Sequence, residues 1–148
     1  MRKNNQSIIV SLFLCYIFLG FLVVLTVAAP IVVTWYVTYF IRPQSLISVT
    51  LVAFYLCFVP AAVALVLLIK LLKNIQHDKI FTKGNTSLIF NISICCFVVA
   101  IICFISGFFY MPFFMVSAAA WFMGIITRVI KNVFVAANEI KEENEYTI

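Results

Sequence analysis

The chain has 148 residues, of which 66% are hydrophobic and only 10% charged, with a net charge of +5. A water-soluble domain of this length needs far more charge to cover its surface, so the composition excludes one and implies an all-α integral membrane protein. The charge is also uneven: from Asn132 to Ile148 four Glu outweigh one Lys to leave −3, so the remainder carries +8. That split reports membrane orientation and a water-exposed tail; no basic cluster has the density or interleaved aromatics of a direct nucleic-acid surface.

Crossing about 30 Å of hydrocarbon takes about 20 apolar residues. The first uncharged run, Ile8 to Ile41, has 34 residues, too long for one crossing and too short for two. It is read as a span over about 8–29 with an extension to 40, kinked at Pro30, which cannot donate to the helix ladder. Trp35, Tyr36 and Tyr39 then fall where an aromatic belt meets the interface. Arg2, Lys3 and Val27-Ala28-Ala29 faintly imitate a signal peptide. The apolar core is too long for one, and Pro30 would follow the cut, so an uncleaved span is expected. A second run, Gln44 to Ile69, gives a span over 45–70 with Pro60 inside it. The third, Gly84 to Thr127, has 44 residues and holds two crossings, 86–107 and 112–130. "SGFFYMPFF" (Ser106 to Phe114) turns the chain between them through Gly107 and Pro112.

Four spans put both termini on one side, together with the bridge 71–85. Arg2, Lys3, Lys70, Lys73, Lys79, Lys83, Arg128, Lys131 and Lys141 share that side, and Arg42 alone lies opposite. By the positive-inside rule both termini are cytoplasmic. The expected fold is thus a single-domain four-helix bundle in the lipid bilayer, with a cytoplasmic bridge and a short amphipathic cytoplasmic tail, 131–148. In the bridge, Ile80-Phe81 is expected to dip into the interface and Thr82 to Asn85 to cap the third helix. His77 beside Asp78 reads as a solvated loop pair. In the tail, Val129, Val133, Ala136 and Ile140 share a helical face, with Lys131, Asn138 and Glu142 opposite. Glu139, Glu142, Glu143 and Glu145 crowd its end against the helix dipole, and a basic partner would relieve them.

The spans contain no Asp, Glu or His, and Lys70 and Arg128 sit at span ends, where they can snorkel. Ion-coupled transport normally requires an ionisable group inside the membrane. Cys15, Cys57, Cys95, Cys96 and Cys103 all lie in apolar runs without Cys-x-x-Cys spacing and read as small hydrophobes, so no metal or cofactor is expected. One His beside one Asp cannot build a catalytic set, so no enzyme activity is expected. Ala120 to Gly124 is a small-xxx-small pattern, read first as packing within the monomer and second as a contact between copies in a homo-oligomer.

Two stretches carry a resemblance. "LLKNIQHDKIFTKGN" resembles a cytoplasmic bridge of the type hydrophobic-Lys-Asn-Ile, then Ile-Phe-Thr, then Asn. "NEIKEENEYTI" resembles an ending of the type Leu-Lys-x-Glu-Asn-x-hydroxyl/aromatic-Thr-Ile. With four spans, the chain resembles the bacterial membrane family called domain of unknown function 2975 (DUF2975) over essentially its whole length. It departs from the usual ending in having Glu145-Tyr146 where Asp-Leu is commoner. The resemblance implies a protein of the bacterial cytoplasmic (inner) membrane with no established activity. Genes of this family often neighbour one for a very small helix-turn-helix regulator, which implies a membrane protein that restrains a cytoplasmic transcription factor. The motif-matching positions are Lys73, Asn74, Ile75, Ile80, Phe81, Thr82 and Asn85, with Glu139 to Ile148. The expected partner contact is drawn from them: Lys73, Asn74, Phe81, Thr82, Asn85, Glu139, Glu142, Glu143, Glu145, Thr147 and Ile148. Two other functions are compatible with the sequence. One is a small transporter or permeability subunit with an uncharged path past Pro30 and Pro60. The other is self-protection against a membrane-active peptide through the outward aromatics Trp35, Tyr36, Tyr39, Phe109 and Tyr110.

Overall fold

A computed structural model describes residues 2–41, 43–77 and 82–146. They form four helices: α1 (Arg2–Tyr39), α2 (Ser45–Gln76), α3 (Lys83–Gly107) and α4 (Pro112–Tyr146). Each is long and apolar enough to cross a membrane. The outward side chains fit a lipid environment. Phe13 is 65% exposed, Val27 77% and Met115 79%, and such faces find no partner in water. The all-α, four-helix membrane architecture anticipated from the hydropathy is the one observed.

α1 runs unbroken through Pro30 to Tyr39. A proline at that position leaves the carbonyl of Thr26, one turn earlier, without its helical donor. The Tyr55 hydroxyl of α2 donates to that oxygen at 3.4 Å, while the Thr26 hydroxyl turns back to Leu22 O at 2.8 Å. The break in the ladder is thus partly repaired from the neighbouring helix.

The helices pack in chain order. α1 lies on α2, α2 on α3, and α3 on α4 most extensively; among the described residues α1 and α4 make no close approach. The bundle is therefore open along one side. α1 also reaches the α3–α4 turn, where the hydroxyls of Tyr36 and Tyr110 share a hydrogen bond.

Lipid offers no hydrophobic drive for helices to associate, so close packing rests on small residues and interhelical hydrogen bonds. α3 supplies Thr86, Ser93, Ala100 and Gly107, each seven residues from the next, and α4 answers with Ser117, Gly124, Lys131 and Asn138 at the same spacing. The Ser117 hydroxyl donates to Ala100 O at 2.8 Å, and Ser93 donates to Gly124 O at 3.2 Å. Ser93 and Ala100 are completely buried. A Cβ on Gly124 would lie 2.9 Å from the Phe97 ring, and one on Gly107 2.8 Å from the Phe114 ring. A seven-residue period is the signature of a left-handed helix pair. Gly124, read from sequence as a packing residue within the monomer, belongs to this seam.

Candidate functional site at the bridge and tail

At the end of the bundle that carries the bridge, α2 stops at Gln76 with His77 as its C-cap, whose N–H donates to Lys73 O at 3.2 Å. Thr82 then opens α3. Its backbone is extended (φ −134°, ψ 146°) and its hydroxyl accepts from the Asn85 N–H at 3.4 Å, which is the N-cap anticipated from Thr82 to Asn85. Lys79, Ile80 and Phe81, with the expected dip into the interface, lie outside the described residues, as do Asp78, Thr147 and Ile148.

Asn74 donates from Nδ2 to the Asn85 Oδ1 at 2.8 Å. Asn85 is fully buried. Its side chain therefore ties the end of α2 to the start of α3 and offers no accessible surface of its own. At the next residue, the Thr86 hydroxyl donates to Thr82 O at 3.5 Å and accepts from Asn138 Nδ2 of α4 at 3.4 Å. Asn138 Oδ1 is buried without a hydrogen-bond partner. Beneath this polar layer Leu71, Leu88 and Ile89 form a buried cluster, with Leu67, Leu68, Ile75 and Phe134 packed around it. Bridge and tail are thus one unit, joined by amides and hydroxyls above and by aliphatic packing below.

Of the expected contact residues, Asn74, Thr82 and Asn85 come together, and Lys73 stands beside them, exposed, its Nζ 5.9 Å from the centre of the Tyr16 ring of α1. Glu139 and Glu143 are exposed on the last turns of α4; Glu142 and Glu145 lie on the same turns. Sequence reasoning did not find Thr86 as a partner of the tail, and it placed Asn138 on the solvent side. The structure reverses that arrangement. Val129, Val133 and Ile140, the apolar stripe, are 56%, 61% and 60% exposed, while Lys131, Phe134, Val135 and Asn138 are half-buried on the side toward α3. The seven-residue spacing from Ser117 to Asn138 was the signal that could have shown it.

The seam of small residues is interrupted at Lys131. Between the Ser93–Gly124 contact and the Thr86–Asn138 contact lies a cavity of about 560 Å³, lined by Thr86, Ser87, Phe90, Lys131, Val135, Asn138 and Glu139. The Arg128 guanidinium sits 4.9 Å from the centre of the Phe90 ring. Elsewhere the Cys57 and Cys103 thiols, from α2 and α3, lie 3.8 Å apart, and all five cysteines are free.

A model of the family of proteins of unknown function DUF2975 matches residues 10–148. The chain belongs to the DUF2975 family. No curated protein and no solved structure matches it. Membership therefore gives this DUF2975 protein a family without giving it an activity, and function rests on its own geometry.

Proposed function

We propose that this DUF2975 protein is a non-enzymatic regulatory protein of the bacterial inner membrane, and that its bridge and tail form a cytoplasmic platform for a partner. The observation that carries the reading is the exposed end of α4. From Pro112 to Lys131 the helix rises about 29 Å, one bilayer core. Beyond that level Val133 and Ile140 are exposed beside exposed Glu139 and Glu143. An apolar stripe edged by acids, past the depth at which lipid tails would cover it, suits a partner with an apolar groove and a basic rim. A small helix-turn-helix regulator has a basic face for DNA, and Glu139, Glu142, Glu143 and Glu145 can compete for that face. The nine cations on the bridge-and-terminus side against Arg42 support the cytoplasmic placement.

Removal of residues 139–148 tests the reading. The shortened chain is expected to insert normally, because its expected spans are untouched, and to lose capture of a small helix-turn-helix regulator. Capture undiminished by the deletion refutes the platform.

A further inference from the structure

We infer that Cys57 and Cys103 form a dithiol site that a membrane-soluble quinone oxidises to a disulfide joining α2 to α3. The inference goes beyond the proposed partner contact and concerns the opposite end of the bundle.

Position comes first. Cys57 of α2 and Cys103 of α3 bring their sulfurs to 3.8 Å, and both thiols are free. A disulfide needs about 2.05 Å, so closure asks for a shift of less than about 2 Å between side chains already in contact. The same two helices are tied at their other ends by the Asn74–Asn85 bond. Cys103 lies one turn before Gly107, the last residue of α3, and about 27 Å along the axis from Asn85. With the bridge at one edge of a hydrocarbon core about 30 Å thick, the pair stands just inside the other edge. Whatever reacts with it arrives through lipid.

The surroundings then select the chemistry. Two thiolates on a monovalent soft cation would leave a negative charge in lipid. Among the described residues no third ligand completes a site for a divalent one. A disulfide is neutral. Its oxidant must dissolve in hydrocarbon and take up two protons with two electrons, so that no ion is left behind, and a quinone does both. Beside the pair, between the same helices, runs an apolar groove of about 390 Å³ whose walls include Leu56 and Ile102, the residues preceding the two cysteines. That volume falls within the range of roughly 300–1,000 Å³ usual for small-molecule sites, and the exposed Val52, Leu56 and Ile105 on its walls open it toward lipid. Half-buried Cys57 supplies the sulfur that adds first to the quinone, its proton passing to one quinone oxygen. Cys103, only 3% exposed, then attacks the Cys57 sulfur. The S–S bond forms, the sulfur–quinone bond breaks with its electron pair, and the second thiol proton leaves with a neutral hydroquinone. The event is a single stoichiometric oxidation.

The full-length chain in nanodiscs, reduced and then freed of reductant, tests this when incubated without air with a short-chain ubiquinone. Trypsin then cuts the bridge at its lysines, a non-reducing gel shows whether the Cys57 and Cys103 fragments stay joined, and peptide mass spectrometry identifies the linked cysteines. Joined fragments and one equivalent of hydroquinone per chain are expected. Cys57→Ser and Cys103→Ser should each abolish both readouts, while Cys15→Ser, Cys95→Ser and Cys96→Ser leave them unchanged, with circular dichroism confirming that each variant is helical. Should Cys103→Ser fail to fold, Cys57→Ser at the half-buried position decides. Tetrathionate, a dianion that hydrocarbon excludes, is expected to close the bond at least about tenfold more slowly. Fragments that separate after quinone treatment overturn the inference. So do a link to Cys95 or Cys96, closure as fast in air without quinone, or closure as fast with tetrathionate. Partner capture can fail while this bond forms, and the reverse.

Discussion

The Asn74–Asn85 bond should be measurable as an energetic coupling between the ends of α2 and α3. Asn85 has no exposed surface, and its Oδ1 accepts from Asn74 Nδ2 at 2.8 Å. Asn85→Ala removes a buried amide and strands a neighbouring donor, a loss of about 1–3 kcal/mol. Asn74 is half-buried, so Asn74→Ala leaves the Asn85 oxygen without this donor and is expected to cost about 1–2 kcal/mol. Because each single change already breaks the same bond, the double variant should be less destabilised than the sum, by about 1 kcal/mol. Reversible unfolding in mixed micelles, titrated with a denaturing detergent and followed by helical circular dichroism, gives the four free energies of the cycle. If the two losses add to within about 0.3 kcal/mol, the amides act independently, and the bridge is not fastened in the way described.

Two further tests address packing and sidedness. Gly124→Leu drives side-chain carbon into the Phe97 ring, 2.9 Å from the position of its Cβ, whereas a Cβ on Gly20 meets nothing within 4 Å. The first should destabilise by about 1–3 kcal/mol, while Gly20→Leu, relieved of glycine's helix penalty of about 1 kcal/mol, should be neutral or stabilising; equal effects in the same detergent titration would refute the seam. For sidedness, exposed Gln44 and His77 lie beyond opposite ends of α2. An impermeant maleimide on intact cells is expected to label Gln44→Cys and to spare His77→Cys until the cells are opened, and the opposite pattern would invert the topology.

Some features were legible because lipid and backbone chemistry write them in large letters. Long uncharged runs mark the helices. Gly107 and Pro112 mark the turn, since proline ends no ladder at a first turn and cannot extend one beyond it. Thr82 was readable as a cap because its hydroxyl meets an N–H that no helix can satisfy. The inward faces were a different matter. In a soluble helix the contrast of polar and apolar residues shows which side packs, but in a span both sides are apolar and the contrast vanishes. What remains is residue size, and the repeat Thr86, Ser93, Ala100, Gly107 is faint among so many aliphatic neighbours. Reading the tail by its apolar stripe put Asn138 in solvent. The helix instead continues the rotation set by Ser117 and Gly124, which keeps Lys131 and Asn138 toward α3.

That continuity accounts for an otherwise awkward feature of α4. Glu139, Glu142, Glu143 and Glu145 gather at a helix C-terminus, where the backbone carbonyls are already negative, and a free peptide of this composition would gain little from coiling. Here the nucleation cost has been met within the membrane, because the same helix begins at Pro112. Each added turn needs only propagation, and Asn138 fastens the emerging segment to Thr86 at 3.4 Å before the acidic turns begin. Unfavourable charge can therefore be held in helical form by a segment anchored upstream. The sign of the charge changes along α4, from Arg128 and Lys131 to the four glutamates, and on the proposed placement cations meet the headgroup phosphates while the acids stand beyond them.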